Sequence, residues 1–196
     1  MFILYGVAIA VILGLLAGGR IERLGELRLR WPWLAIAGLV FQGILFSAPV
    51  TAVVGDAGPP LYVVSTGLVL ATVLRNVAIP GLVAVAAGAA SNLAAILANG
   101  GYMPADPAAL AIAEKAASVG YSNSRVLADP ALAPLTDVFG MPAWVPFANV
   151  FSVGDVLIGV GVAVTVLWAV LRRPTRASDT VPNSTDGLYG GTLRET

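Results

Sequence analysis

FSVGDVLIGVGVAVTVLWAVL, residues 151–171, carries one charged side chain, Asp155, and is otherwise apolar, glycine or hydroxyl-bearing. At ~1.5 Å rise per residue it makes a helix of roughly 30 Å, the thickness of a bilayer's hydrocarbon core. Working outward from it, four further apolar stretches read the same way, at about residues 2–18, 31–48, 60–76 and 80–98. The composition agrees. Of 196 residues 58% are hydrophobic and 11% charged, with a mean hydropathy of +0.86, whereas soluble domains carry about a quarter charged residues. The expected fold class is therefore all-α: a polytopic membrane protein with five transmembrane helices and the lipid bilayer as its first partner.

Basic residues set the orientation. Arg20, Arg23, Arg28 and Arg30 follow the first span, Arg75 separates the third from the fourth, and Arg172, Arg173, Arg176 and Arg194 follow the fifth. These share one side if the N-terminus is outside, leaving Lys115 and Arg125 on the other. The reading is N-out/C-in, in the plasma membrane of a bacterium. Residues 1–173 form one transmembrane domain, with an extracytoplasmic segment at 99–149. Residues 174–196, polar and without an apolar period, read as a disordered cytoplasmic tail. The first span lacks a basic n-region and its arginines come after the apolar run, so it reads as a reversed signal-anchor, not a cleaved signal peptide.

Several chemistries are excluded. With no His and no Cys there are no disulfides, thiolate or imidazole metal sites, or His-dependent triads. Lys115 lies outside the apolar stretches, which removes a buried Schiff-base lysine. Eleven basic against eleven acidic residues leave no electrostatic case for nucleic acid. No cofactor and no metal are expected, and any catalysis falls to carboxylates.

Small residues predict close helix packing. Gly6, Ala10, Gly14 and Gly18 recur every four residues, and an intramolecular seam is the expected use. Gly81, Gly88 and Ala95 share a face of the fourth span. In the outer segment, Asn99-Gly100-Gly101-Tyr102-Met103-Pro104 is a tight turn. Asp106-Pro107 signals a helix over 108–119 of about three turns, stopped by Gly120, and Asp129-Pro130 a shorter one. Residues 140–147, Gly-Met-Pro-Ala-Trp-Val-Pro-Phe, return the chain to the bilayer, with Trp144 and Phe147 at the interface.

Polar groups inside spans carry a functional hypothesis by default. Gln42, Ser65, Thr66, Ser91, Asn92, Ser152 and Asp155 all favour the middle or outer half. They form either a polar pocket open to the outside or a set of interhelical hydrogen bonds, the second being the expectation for Gln42, Ser65 and Thr66 singly. Ser152 and Asp155 have capping-box spacing, Ser at N-cap and an acid at N3. Asp137, in Leu-Thr-Asp-Val-Phe at 135–139, is the nearest other acid. The candidate site joins Asn92, Asn99, Asn149 and Ser152 as binding residues with Asp137 and Asp155 as carboxylates.

Two resemblances bear on these residues. Phe151-Ser152-Val153-Gly154-Asp155-Val156-Leu157-Ile158 resembles the second aspartate block of lipoprotein signal peptidases. Asp137 stands 18 residues earlier, followed by Val138-Phe139, and residues 88–93 (Gly-Ala-Ala-Ser-Asn-Leu) resemble that family's glycine-rich Asn-Leu block. Ser152 replaces the usual Asn, no Asp-Arg follows Asn92-Leu93, and the Asp-Gln-x-x-Lys and Asn-x-Gly-x-Ala-Phe motifs are missing. This resemblance implies an aspartic dyad acting on a membrane-anchored peptide, one carboxylate activating water and the other, protonated, polarising the scissile carbonyl. Burial of Asp155 is expected to raise its pKa toward the acid role. Over most of the chain, residues 99–104, 135–137 and 146–155 also resemble a bacterial multi-pass membrane family of unknown function, which implies no activity.

Three functions are carried forward. The protein is a non-enzymatic binding, accessory or assembly protein with a peptide or protein partner on its outer face; or an aspartic peptidase-like enzyme using Asp137 and Asp155; or an ion or proton pathway through Asp155. They part on whether Asp137 meets Asp155 and what else holds each.

Overall fold

Seven α-helices and two pairs of very short strands make up the computed structural model, which describes residues 2–115, 122 and 124–172. The helices are α1 (Phe2–Leu16), α2 (Pro32–Leu45), α3 (Ala48–Thr51), α4 (Gly58–Arg75), α5 (Leu82–Ala98), α6 (Pro107–Ile112) and α7 (Val153–Leu171). Each of the five expected spans contains one long helix. Two helical runs, Gly55–Arg75 and Val153–Leu171, are long and apolar enough to cross a membrane, while the apolar helices Ile3–Leu16, Pro32–Leu45 and Leu82–Ala98 are shorter. The predicted tail at 174–196 lies outside the described residues.

Local sequence explains where the helices begin. Proline in the first turn of α2, α4 and α6 gives up an N–H that has no helical partner there. Asp106 accepts from the N–H groups of Ala108 (2.6 Å) and Ala109 (3.3 Å) and so caps α6. Gly81 begins α5 at φ +92, a conformation costly for any other residue. Asn76 closes α4. Its amide donates to the carbonyls of Arg30 (2.8 Å) and Thr72 (2.7 Å) and accepts from Arg30 N–H (2.7 Å), tying the entrance of α2 to the end of α4.

The long helices stand in a row, α1–α7–α5–α4–α2. Glycine sets the two closest seams. A Cβ on Gly6 would lie 3.1 Å from the Gly159 carbonyl oxygen, and one on Gly14 would lie 2.9 Å from Val170 Cγ1, so α1 packs on one side of α7. On the other side, Cβ atoms on Gly81 and Gly88 would run into the backbone oxygens of Gly161 and Gly154. Thr165 strengthens that seam, donating to the Pro80 and Gly161 carbonyls. The predicted α1 stripe is thus an intramolecular seam except at Gly18, which has φ +78 and no neighbour within 4 Å and serves a turn. Between α2 and α4, Gly38 packs beside Ser65, and Gln42 donates to Thr66 Oγ1 at 3.3 Å.

Between the helices several polar side chains are buried while many large apolar ones face outward. Ser65, Thr72, Asn76, Ser152 and Thr165 are buried, whereas Leu16, Trp33, Ile36, Val64, Val83 and Leu97 are exposed. At one end of the row Leu45, Tyr62, Ala95, Ile96 and Met103 form a cluster, with the Phe46 ring edge-on to Tyr62 at 5.1 Å.

Above that end sits the segment between α5 and α7. Residues 103–104 (β1) pair in parallel with 124–125 (β2), and Ala105 bridges Asp137 on the other side. Residues 139–140 (β3) pair antiparallel with 150–151 (β4), leading into α7. The expected three-turn helix at 108–119 ends at Ile112. Glu114 adopts φ +49, its N–H bonds Ala111 and the Lys115 N–H bonds Leu110, the Schellman closure normally given to glycine. Residues 116–121 lie outside the described set. Rather than lying free, α6 buries Ala109 and Ala113 against Ala105 and Val150. The helix expected at Asp129-Pro130 is replaced by a 3-10 turn at Ala133–Leu135, entered through Leu132 at φ +53. A helix begun at Pro130 would meet Pro134 one turn in, where proline removes a required donor.

Candidate functional site

Two hydrogen bonds from Asn92 join α5 to the start of α7, where two more close a capping box. Ser152 Oγ accepts from Asp155 N–H (3.0 Å), and Asp155 Oδ2 accepts from Ser152 N–H (3.1 Å), which together complete the capping box. Asn92 bridges the two side chains. Its Nδ2 donates to Asp155 Oδ1 (2.9 Å), and its Oδ1 accepts from Ser152 Oγ (2.8 Å). The ring is closed: both carboxylate oxygens and both ends of the amide are used. Ser152 is wholly buried.

Glycines make room for this ring. A Cβ on Gly154 would fall on Asn92 Oδ1, so the amide lies directly against the backbone of α7. Gly88, one turn below Asn92, brings the helices to that distance. The part played by Gly154 was not read from the sequence. A glycine just after an N-cap serine, opposite the small-residue face of the fourth span, is the signal that could have found it.

Asp137 enters from the outer segment. Its backbone is stitched on both sides, N–H to the Pro104 carbonyl (2.9 Å) and carbonyl to the Asp106 N–H (3.0 Å). The residue is 8% exposed. Burial first, and the negative charge of Asp155 second, push its carboxyl from about 3.8 up to about 7. The sequence reading placed the raised acid at Asp155. The structure buries Asp137 more deeply, Asp155 being only half-buried and wrapped in donors.

The remaining candidates lie apart from the ring. Asn99 clamps the outer segment: its Nδ2 donates to the Ala131 carbonyl (2.8 Å) and its Oδ1 accepts from the Ala131 N–H (2.9 Å). Asn149 is exposed and takes part through its backbone carbonyl, which accepts from Met141 N–H (3.0 Å). Ser91 Oγ is buried with no hydrogen-bond partner among the described residues. A cavity of about 290 Å³ is lined by residues between α5 and α7, including Ala105, Asp106, Val126, Pro130 and Thr136. Among the described residues no three acidic side chains converge to hold a metal ion.

Chemically, the arrangement leaves Asp137 as a buried acid whose carboxyl is pushed up, while both oxygens of the Asp155 carboxylate are taken by Asn92 and Ser152. It locks the start of α7 to α5. No curated protein and no solved structure matches the chain. A family model does, over residues 26–167, from the arginine loop through α2, α4, α5 and the outer segment to nearly the end of α7. Everything that builds the ring falls inside that stretch, and the chain belongs to DUF5317, a family of unknown function.

Proposed function

We propose that this is a five-helix integral membrane protein, N-out/C-in in the plasma membrane, whose outer segment binds or helps assemble a partner without catalysis. The bilayer placement is supported by the inverted distribution of side chains. Trp33, Ile36, Leu39 and Val40 are exposed on α2 while Ser65, Thr72 and Thr165 are buried between helices, and a helix apolar on all sides suits lipid rather than water. Trp144 and Phe147, strongly exposed on the returning loop, suit the interfacial zone where aromatic rings collect.

One observation carries the non-catalytic reading: Asp155 spends both carboxylate oxygens on Asn92 and Ser152. A carboxylate so engaged is a helix cap and a latch. The partner surface is then the outer segment, held in shape by Asn99 and the strands around Ala105. Reporter fusions ending at residues 53 and 126 should be active outside the cytoplasm, and fusions ending at 26, 78 and 172 inside. Under this reading Asp137→Asn complements a deletion strain as well as the wild type, while Asn99→Ala, which unclamps the outer segment, does not. Complementation failing with a well-folded Asp137→Asn protein refutes it.

One observation favours the peptidase-like alternative, the raised Asp137 carboxyl beside Asp155. Under it Asp137 is the acid and Asp155 the base, and Asp137→Asn abolishes cleavage of a membrane-anchored peptide presented from the outer leaflet. The proton-pathway alternative rests on the same pair, and proton flux into proteoliposomes unchanged by Asp155→Asn disposes of it.

A further inference from the structure

Away from the ring, α2 and α4 enclose an apolar groove of about 370 Å³, lined on α2 by Ala37, Gly38 and Phe41 and on α4 by Leu61, Val64 and Leu68. Leu61, Leu68 and Arg75 stand seven residues apart, so at ~3.6 residues per turn Arg75 continues the groove-lining stripe of α4. Arg30 is brought to the same place by Asn76, whose side chain holds both the N–H and the carbonyl of Arg30. The Arg75 guanidinium lies 5.8 Å from the centre of the Trp31 ring.

These arginines are exposed and lack acidic partners. Among the described residues the ion pairs are Arg20–Glu22 (3.7 Å) and Arg172–Glu26 (3.3 Å), and neither involves Arg30 or Arg75. Two unpaired arginines therefore stand at the end of the α2–α4 pair that the groove-lining stripe runs toward. From Leu68 to Arg75 along the helix is roughly 10 Å, less than the ~15 Å depth of one leaflet's hydrocarbon. A molecule with an anionic head and an acyl tail spans both features at once.

We infer that this is a binding site for one anionic phospholipid, its phosphate held by Arg30 and Arg75 and one acyl chain laid in the α2–α4 groove. Guanidinium suits this role because its fork of donors matches phosphate oxygens. The Trp31 ring beneath Arg75 holds that head group at interfacial depth. The inference rests on the bilayer placement proposed above.

The test uses the full chain in mild detergent, with bound lipid counted by native mass spectrometry. Phosphatidylglycerol and phosphatidylcholine of identical acyl chains are offered at equal concentration. About a tenfold preference for phosphatidylglycerol is expected, lost in the Arg30→Gln/Arg75→Gln protein and kept in Arg20→Gln. Ala37→Trp, which fills the groove, should weaken both lipids. Equal retention of the two lipids overturns the site, as does an Arg20→Gln protein that loses as much as the double variant. Competition by glycerol 3-phosphate as strong as by the lipid assigns the contact to phosphate alone and overturns the acyl-chain part. A dimer that closes the groove and excludes lipid overturns it as well. Alkaline carbonate extraction separates the premises: release from the membrane sinks the bilayer placement, whereas retention without lipid preference sinks only the site.

Discussion

Asn92→Ala tests whether the ring between α5 and α7 is a structural latch. The substitution removes the bond from Nδ2 to the Asp155 carboxylate (2.9 Å) and the acceptor of Ser152 Oγ (2.8 Å). Bonds to charged groups contribute about 1.5–3 kcal/mol, and a buried donor left without an acceptor costs about 1–3 kcal/mol. Polar contacts between membrane helices average only about 0.6 kcal/mol each, because the unfolded reference finds partners too. The charged bond and the complete burial of Ser152 place this ring above that average, so a loss of about 2–3 kcal/mol is expected. Reversible unfolding in micelles, followed by tryptophan fluorescence and circular dichroism, reads it directly. A double-mutant cycle with Ser152→Ala should give a coupling of about 1 kcal/mol, since Asn92 and Ser152 act through the same bond. A loss below about 0.5 kcal/mol, or strictly additive single variants, refutes the latch.

Raising the pH should destabilise the protein through Asp137. Its carboxyl sits at about 7 when folded against 3.8 ordinarily, so its contribution is whole below about pH 4, shrinks as pH rises and is gone above about pH 7. Asp137→Asn should flatten that decline, by an amount on the order of a few kcal/mol between pH 5 and 8; identical slopes in wild type and variant count against it. At the α5–α7 seam, Gly81→Ala should cost about 3 kcal/mol or more, because it combines φ +92 with a collision against Gly161 and Thr165. Gly67→Ala, mid-helix with no neighbour within 4 Å, should be neutral or stabilising by up to about 1 kcal/mol, and equal effects at the two positions would discredit the seam. Asn99→Ala should speed amide exchange in residues 129–137 while leaving α5 and α7 protected, and unchanged exchange there would mean that the Ala131 clamp holds nothing.

The helices were legible because their signal is local. A run such as 156–171 excludes charge for its whole length, and Pro32, Asp106 and Ser152 mark starts by chemistry that depends on the next few residues. Most of the α1 stripe was readable too, since glycine and alanine at every fourth position suit close approach, though Gly18 serves a turn instead. The outer segment was less legible because its closures depend on distant partners. Glu114 adopts a left-handed conformation at the end of α6, which packs on Ala105 and Val150, and no local rule favours glutamate there. The site divided in the same way. Ser152 and Asp155 belong together by spacing alone. That Asn92 would meet them, and that Asn99 would turn instead to Ala131, depends on the register of α5 against α7, which Gly88 and Gly154 set jointly from residues 66 apart in the chain.

That register also sets the two acids apart. Asp155 could have been the buried acid, standing as it does inside an apolar stretch. But the contact that Gly154 permits brings Asn92 Nδ2 onto one carboxylate oxygen, and the capping box brings the Ser152 N–H onto the other. Both oxygens of that carboxylate are thereby engaged. Asp137 has no such help from side chains among the described residues. It is held by its backbone to Pro104 and Asp106, deeper in the protein and facing a charge of its own sign. One carboxylate is met by hydrogen-bond donors, and the other is the buried acid whose carboxyl is pushed up. A function that needs a raised acid finds it in the segment between α5 and α7, at Asp137. A latch needs only the other carboxylate, Asp155.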